Sequence, residues 1–308
     1  MPKIKNSYQL TPSGVHWLLF TVILLQVFCT IVYGILYSFF SFERPDGYLL
    51  RLCLQIFAVL LPAALYLYPK NIDVTETFLI HHLDLKNVLI LAGMGICIQY
   101  VCRMINTVTM LVLEWCGAET LSSVLAVPKN VGSFLLALLA LVLIPAITEE
   151  LLMRGVVLHA YLWRGSKSAV IASAFLFAIV HLDVRNLVST FLLGMILAFV
   201  VLQTGSIWAG MILHGVNNLL VLISFMIEQN MSGLWIEIIM IVLFLASLFC
   251  FFWLLRVFKE HNRENGARVD IPMKKSVAYD LGRIVFSLPG LLILICFVLF
   301  QVFLFNGV

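Results

Sequence analysis

Nine apolar runs, most of them close to twenty residues long, follow one another along the chain with little polar sequence between them. They extend approximately from Trp17 to Phe40, Leu49 to Tyr68, Val88 to Trp115, Val131 to Leu162, Ala169 to Leu182, Leu187 to Leu202, Ile207 to Ile227, Leu234 to Leu255 and Ile284 to Phe305. An α-helix needs roughly twenty apolar residues to cross the ~30 Å hydrocarbon core of a bilayer, so the runs predict repeated crossing. Lipid offers no partner to backbone amides and carbonyls, which leaves helices or a closed barrel. Uninterrupted apolar runs lack the alternation of barrel strands, and the expected fold is all-α. Composition agrees: apolar residues make up 62% of the chain and charged residues 11%, with a mean hydropathy of +1.07. The expectation is a polytopic transmembrane helical bundle of about nine spans, with eight as the alternative count.

Lys and Arg are enriched in cytoplasmic loops, which gives the bundle an orientation. With the N-terminus cytoplasmic, thirteen of the 19 basic residues fall on the inner side and four (Arg44, Arg51, Lys129, Arg185) on the outer. Arg103 and Arg154 lie inside spans. The seven basic residues from Arg256 to Arg283 read as an orientation signal with attraction to anionic lipid. A formal charge of +3 gives no reason to expect nucleic acid as a partner. The first run is too long for a signal-peptide core and has no clear small-residue cleavage site, so it is expected to be retained as a span.

No Pro-, Gly- or Ser-rich linker divides the chain and no repeat is evident, so residues 1–308 read as one membrane domain. The mixed stretch between Asn71 and Asn87 predicts an interfacial segment, and its His81 and His82 read as interfacial polar groups. Seven cysteines without a Cys-x-x-Cys pair read as packing residues, not as a disulfide framework. Asn230-Met-Ser232 matches a glycosylation acceptor in a short loop and carries little weight.

Ionisable side chains are costly at the bilayer centre, so each one inside a span demands a reason. The fourth run contains Pro145-Ala-Ile-Thr-Glu149-Glu150-Leu-Leu-Met-Arg154. Glu150 and Arg154, four apart with the acid first, share a helix face and suit an ion pair. Glu149 points about 100° away, free to face a cavity and handle a proton. A structural ion pair locking the bundle is the alternative reading for this cluster. The fifth run ends in Phe177-Ala-Ile-Val-His181, in which the aromatic can flank the imidazole. The seventh contains His214-Gly-Val-Asn217-Asn218, in which His214 and Asn218 share a face and can donate to one oxygen. Counted at 1.5 Å per residue from the cytoplasmic ends, Glu149, His181 and Asn218 lie about 20–22 Å deep and His214 about 14 Å. That shared level favours one site.

These motifs, Glu149-Glu150…Arg154, Phe177…His181 and His214…Asn218, resemble in type and order the signatures of the CAAX-protease and bacteriocin-processing family of intramembrane proteases, also called the Abi family. The resemblance covers roughly residues 131–227, leaving residues 228–308 as extra C-terminal spans without a signature. It implies peptide-bond hydrolysis within the bilayer on a peptide or membrane-protein substrate. It also implies that Glu149 with His181 activates water, that His214 and Asn218 stabilise the oxyanion, and that Glu150, Arg154 and Phe177 support them. A Glu and two His could instead bind zinc, through Glu149, His181 and His214. The absence of His-Glu-x-x-His and the implication of the family favour no metal. Two other classes stay open: a non-catalytic membrane scaffold keeping the same fold, and a transporter using Arg103 and Asn106, against which the lack of inverted repeats counts. A bacterial plasma membrane is the expected location.

Overall fold

A computed structural model describes residues 10–40, 47–118, 127–228, 234–265 and 268–306, and among them there is no strand. Lys3, Lys5, Arg44 and the Asn230 acceptor lie outside these residues. Ten helices organise the rest: α1 (Pro12–Phe40), α2 (Tyr48–Leu67), α3 (Leu85–Trp115), α4 (Val131–Leu162), α5 (Ser166–Val180), α6 (Leu187–Thr204), α7 (Ile207–Glu228), α8 (Leu234–Asn265), α9 (Val277–Val285) and α10 (Leu288–Asn306). The protein is thus an all-α polytopic membrane bundle.

Among the described residues, seven helices are long and apolar enough to cross a bilayer, and α9 with α10 form an eighth candidate bent by 73°. The fifth expected span is the shorter helix α5, whose 15 residues extend about 22 Å and fall short of the hydrocarbon thickness. It ends at Val180, which places His181 at the helix terminus and not within a crossing segment. The bend in the last span has a local cause. Ser287 Oγ accepts from Gly290 N at 3.2 Å and starts a new helix, Pro289 supplies no amide, and any Cβ on Gly290 would collide with the Ile284 carbonyl.

Helix ends follow their sequences. Asp84 caps α3 through Asn87 N at 2.7 Å, and Asn130 and Ser133 form a reciprocal capping box at the start of α4. In α2 and α4 the regular ladder widens to π-helix at Leu54–Leu60, Leu139–Leu143 and Leu151–Leu158. Two of these stretches run directly into an α-helical turn with proline near its start, Pro62 and Pro145. A ring that lacks an N–H and crowds the carbonyl four residues back is accommodated by such widening.

Burial sorts the spans into centre and periphery. Of the most apolar stretch, 56% is buried in α6 but only 11% in α8, which turns Phe249, Phe252 and Trp253 outward. α5 and α6 pack closely on one another, and α3 lies between α7 and α8. The segment between α2 and α3 departs from a purely interfacial role. Phe78 and Leu79 are buried in the core, and Leu79 and His81 carbonyls accept from Ile207 N (3.0 Å) and Ser206 Oγ (2.7 Å) at the start of α7. The hydrophobic drive to bury Phe78 against Gly155 of α4 outweighs the amphipathic pattern that suggested a surface position.

Candidate active site

Glu149 lies in the α-helical turn of α4 between two π-helical stretches, and its carboxylate is fixed from one side only. Oε1 accepts from Gln55 Nε2 at 2.8 Å, and Gln55 Oε1 in turn accepts from Thr148 Oγ1 at 2.7 Å. Because the carboxylate can only accept, the Gln55 amide turns its nitrogen to Glu149 and its oxygen to Thr148. Oε2 faces two imidazoles, at 3.9 Å from His181 Nε2 and 3.9 Å from His214 Nε2. These separations exceed a direct hydrogen bond and suit one bridging solvent molecule.

Both rings turn the same nitrogen to Glu149 because the other is engaged. His181 Nδ1 lies 2.7 Å from the Phe177 carbonyl, which can only accept, so Nδ1 carries the hydrogen. The Phe177 ring meets His181 edge-on, with centroids 4.6 Å apart. His214 Nδ1 lies 2.9 Å from Glu150 Oε1. A carboxylate there draws the ring hydrogen to Nδ1 and stands where it can compensate a protonated imidazole.

Glu150 and Arg154 make the i to i+4 pair that their spacing allows, Arg154 Nη1 donating to Glu150 Oε1 at 2.7 Å with side chains 0% and 1% exposed. Arg154 Nη2 donates to the Gly194 carbonyl of α6 at 3.1 Å, and the guanidinium lies 4.8 Å from the Phe177 ring centre. Glu150 Oε2 is buried without a hydrogen bond, and Gly210 of α7 presses against it so closely that a Cβ would collide with it. The chain Arg154–Glu150–His214, with the Gly194 carbonyl, therefore joins α4, α6 and α7 by hydrogen bonds.

Asn218 stands apart from this arrangement. Its Oδ1 accepts from Asn217 Nδ2 at 3.1 Å, and among the described contacts it has no hydrogen bond to Glu149, His181 or His214. That bond engages the oxygen and leaves the amide nitrogen as the end able to donate. His214, counted as the shallower group, comes as near to Glu149 as His181 does, 3.9 Å. Eight consecutive residues of α4 between Glu150 and its C-terminal end are π-helical, and such turns hold more residues per unit length than the α-helical count assumes.

Gln55 and Thr148 were not singled out from the sequence. A search restricted to ionisable residues passes over neutral amides, although a glutamine inside an apolar run has the same need of a partner. No group of three or more His, Cys, Asp or Glu among the described residues has the spacing of a metal cage.

Residues 131–220 match the family described as Type II CAAX prenyl endopeptidase Rce1-like. No curated protein and no solved structure matches the chain. The matched segment opens with α4 and runs past Asn218 in α7, so it contains all three motifs together with the Glu149, His181 and His214 cluster. Over that segment, somewhat under a third of the chain, the protein is similar to the CAAX-protease family.

Proposed function

We propose that the protein is an intramembrane endopeptidase that hydrolyses a peptide bond in a membrane-associated peptide or protein. One observation carries the reading: a single carboxylate oxygen, Glu149 Oε2, stands 3.9 Å from two imidazole nitrogens whose other nitrogens are tied. A water held by these three groups is poised to lose a proton. In the proposed reaction Glu149, assisted by His181, takes that proton as the water oxygen attacks the carbonyl carbon. The carbonyl π electrons move to oxygen, where protonated His214, through Nε2–H, and Asn218, through Nδ2–H, stabilise the charge. Collapse breaks the C–N bond, and the proton held at Glu149 passes to the departing amine. Gln55 holds Oε1 and so directs Oε2 to the water, while Glu150 and Arg154 hold His214 in place.

Zinc is the alternative reading: Glu149, His181 and His214 would hold it, and it would supply Lewis-acid activation of water. Ligands at about 2.0–2.1 Å from a tetrahedral ion lie about 3.4 Å apart, so the three groups would have to close by about half an ångström. We favour the metal-free form on that spacing. We place the N-terminus on the cytoplasmic side of the membrane, on a distribution of Lys and Arg that takes the fifth run as a crossing.

The deciding experiment compares membrane peptides by mass spectrometry in cells carrying wild-type and Glu149→Ala protein, followed by cleavage of the candidate peptide with purified protein. The wild type generates a product that the variant does not, and cleavage survives a chelator that strips bound metal. Equal cleavage by an uncontaminated variant would overturn the enzyme reading in favour of a scaffold. Loss on chelation, with one zinc per chain by elemental analysis, would establish the zinc form.

A further inference from the structure

The turn that follows His181 is held from outside the family-matched segment. Leu182 adopts φ 54°, one of two positive-φ non-glycine residues in the described chain, and its side chain is buried. A leucine persists in that region only where its surroundings over-determine the conformation. Part of the constraint is local: Asp183 Oδ1 accepts from Arg185 N at 3.0 Å, and its carboxylate pairs with the Arg185 guanidinium at 2.8 Å. The rest comes from α10. Gln301 Nε2 donates to the Leu182 carbonyl at 3.0 Å and to Phe297 O on its own helix at 2.9 Å, while Gln301 Oε1 accepts from Val184 N at 2.9 Å. One amide thus satisfies a carbonyl and an amide on either side of Asp183, and both its ends are used.

α10 is delivered to this position by a strap. Val269 N donates to Leu202 O (2.9 Å), Ile271 N to Ser166 Oγ (2.8 Å) and Lys274 N to Arg164 O (2.9 Å), which stitches residues 268–274 across the ends of α4, α5 and α6. Ser287, at the bend between α9 and α10, lies 3.1 Å from His16 Nδ1, and His16 Nε2 lies 2.6 Å from Tyr161 of α4. Docked at both points, α10 can act as a fixed support.

His181 is itself weakly held. It sits at the end of α5 with a 38% exposed side chain, and its ring is restrained by the Phe177 carbonyl and ring. Any rotation of the 182–184 turn swings the imidazole relative to Glu149. We infer that Gln301 is a positioning residue for His181, so that the C-terminal helices, which carry no motif, serve to hold one half of the site. This rests on the proposed protease reading for its consequence in catalysis, but not for its effect on His181.

Full-length Gln301→Leu and Gln301→Glu proteins in lipid nanodiscs test it by two readouts. In cleavage of the peptide identified above, Gln301→Leu is expected to lower kcat about ten- to a hundredfold with KM within about twofold, the signature of a displaced group rather than lost binding. Gln301→Glu, which keeps the acceptor for Val184 N, falls between. Independently of activity, histidine-labelled protein is expected to show the His181 ring resonances, assigned with His181→Gln, shifted by Gln301→Leu while those of His214 stay in place. Unchanged kcat with an unmoved His181 resonance would overturn the inference, as would equal shifts of both histidines with a lowered melting temperature, which would mark a general structural role. If Glu149→Gln protein cleaved as well as wild type, the protease reading alone would fail, and the selective His181 shift would still stand as the test of Gln301.

Discussion

The α7 side and the α5 side of the site bring an imidazole to the same 3.9 Å from Glu149 by opposite means. On the α7 side His214 is 4% exposed and ends a hydrogen-bonded chain that runs through Glu150 and Arg154 to the Gly194 carbonyl. On the α5 side His181 stands at a helix end, tied to a main-chain carbonyl, with no charged group but Glu149 near it in the described contacts. A buried ring beside a buried carboxylate is built to tolerate charge, because the carboxylate compensates it where solvent cannot. An open ring bound to a carbonyl is built to keep its bare nitrogen available for solvent and substrate. The difference fits the two roles proposed for residues of one type: oxyanion support by His214 and water activation by His181.

The largest effect belongs to the group both sides share. Glu149→Gln keeps the size and the contact with Gln55 yet cannot take a proton, and cleavage should fall by on the order of 10³ or more with no loss of folded protein. The comparison itself is tested by His181→Ala against His214→Ala. Both should reduce kcat by about 10²–10⁴. Only His214→Ala should also lower thermal stability, by about 1–3 kcal/mol, since it takes a partner from a fully buried carboxylate. Equal stability losses in the two variants would erase the distinction between the sides. Arg154→Ala removes the compensating cation and should cost about 3–5 kcal/mol, measured by denaturation in detergent. Lysine should rescue it poorly, because a single ammonium cannot span Glu150 and the Gly194 carbonyl as a planar guanidinium does. Gln55→Leu should lower kcat about tenfold at constant stability, by freeing Glu149 to turn away from the histidines.

The sequence exposes the charged half of this arrangement better than the neutral half. The pairing of Glu150 with Arg154 and the divergence of Glu149 follow from helical spacing alone, and the rarity of charge in apolar runs draws attention to all three. The link from Glu150 to His214 does not follow, since it joins residues 64 apart through the packing of α4 on α7 at Gly210. Gln55 and Gln301 escape notice because neutral amides are tolerated in apolar runs and have no preferred partner until the bundle is assembled. The apolar runs reveal the bundle, but not that the fifth stops short. α5 ends where Leu182 turns the chain, and a leucine at positive φ has no sequence signature.

A half-exposed carboxylate at a helix start gives the smallest effect and the sharpest contrast with the α7 side. Asp84 caps α3 and accepts from His261 Nε2 of α8 at 3.0 Å, but its side chain is 47% exposed. Burial would raise its carboxyl; the Asn87 amide and His261 more than offset that and hold it below its ordinary value of 3.8. A carboxyl depressed on folding stabilises the protein above the unfolded value and ceases to do so as pH falls through the folded one. Asp84→Ala should therefore cost about 1 kcal/mol at pH 7, most of it the helix cap and little of it the screened contact with His261, and the difference from wild type should shrink below pH 3.8 to what the neutral carboxyl still contributes as a cap. If the loss at pH 7 instead equalled that of Arg154→Ala, burial would not be what gives the Glu150–Arg154 pair its weight, and the charge-based account of the His214 side would fall with it.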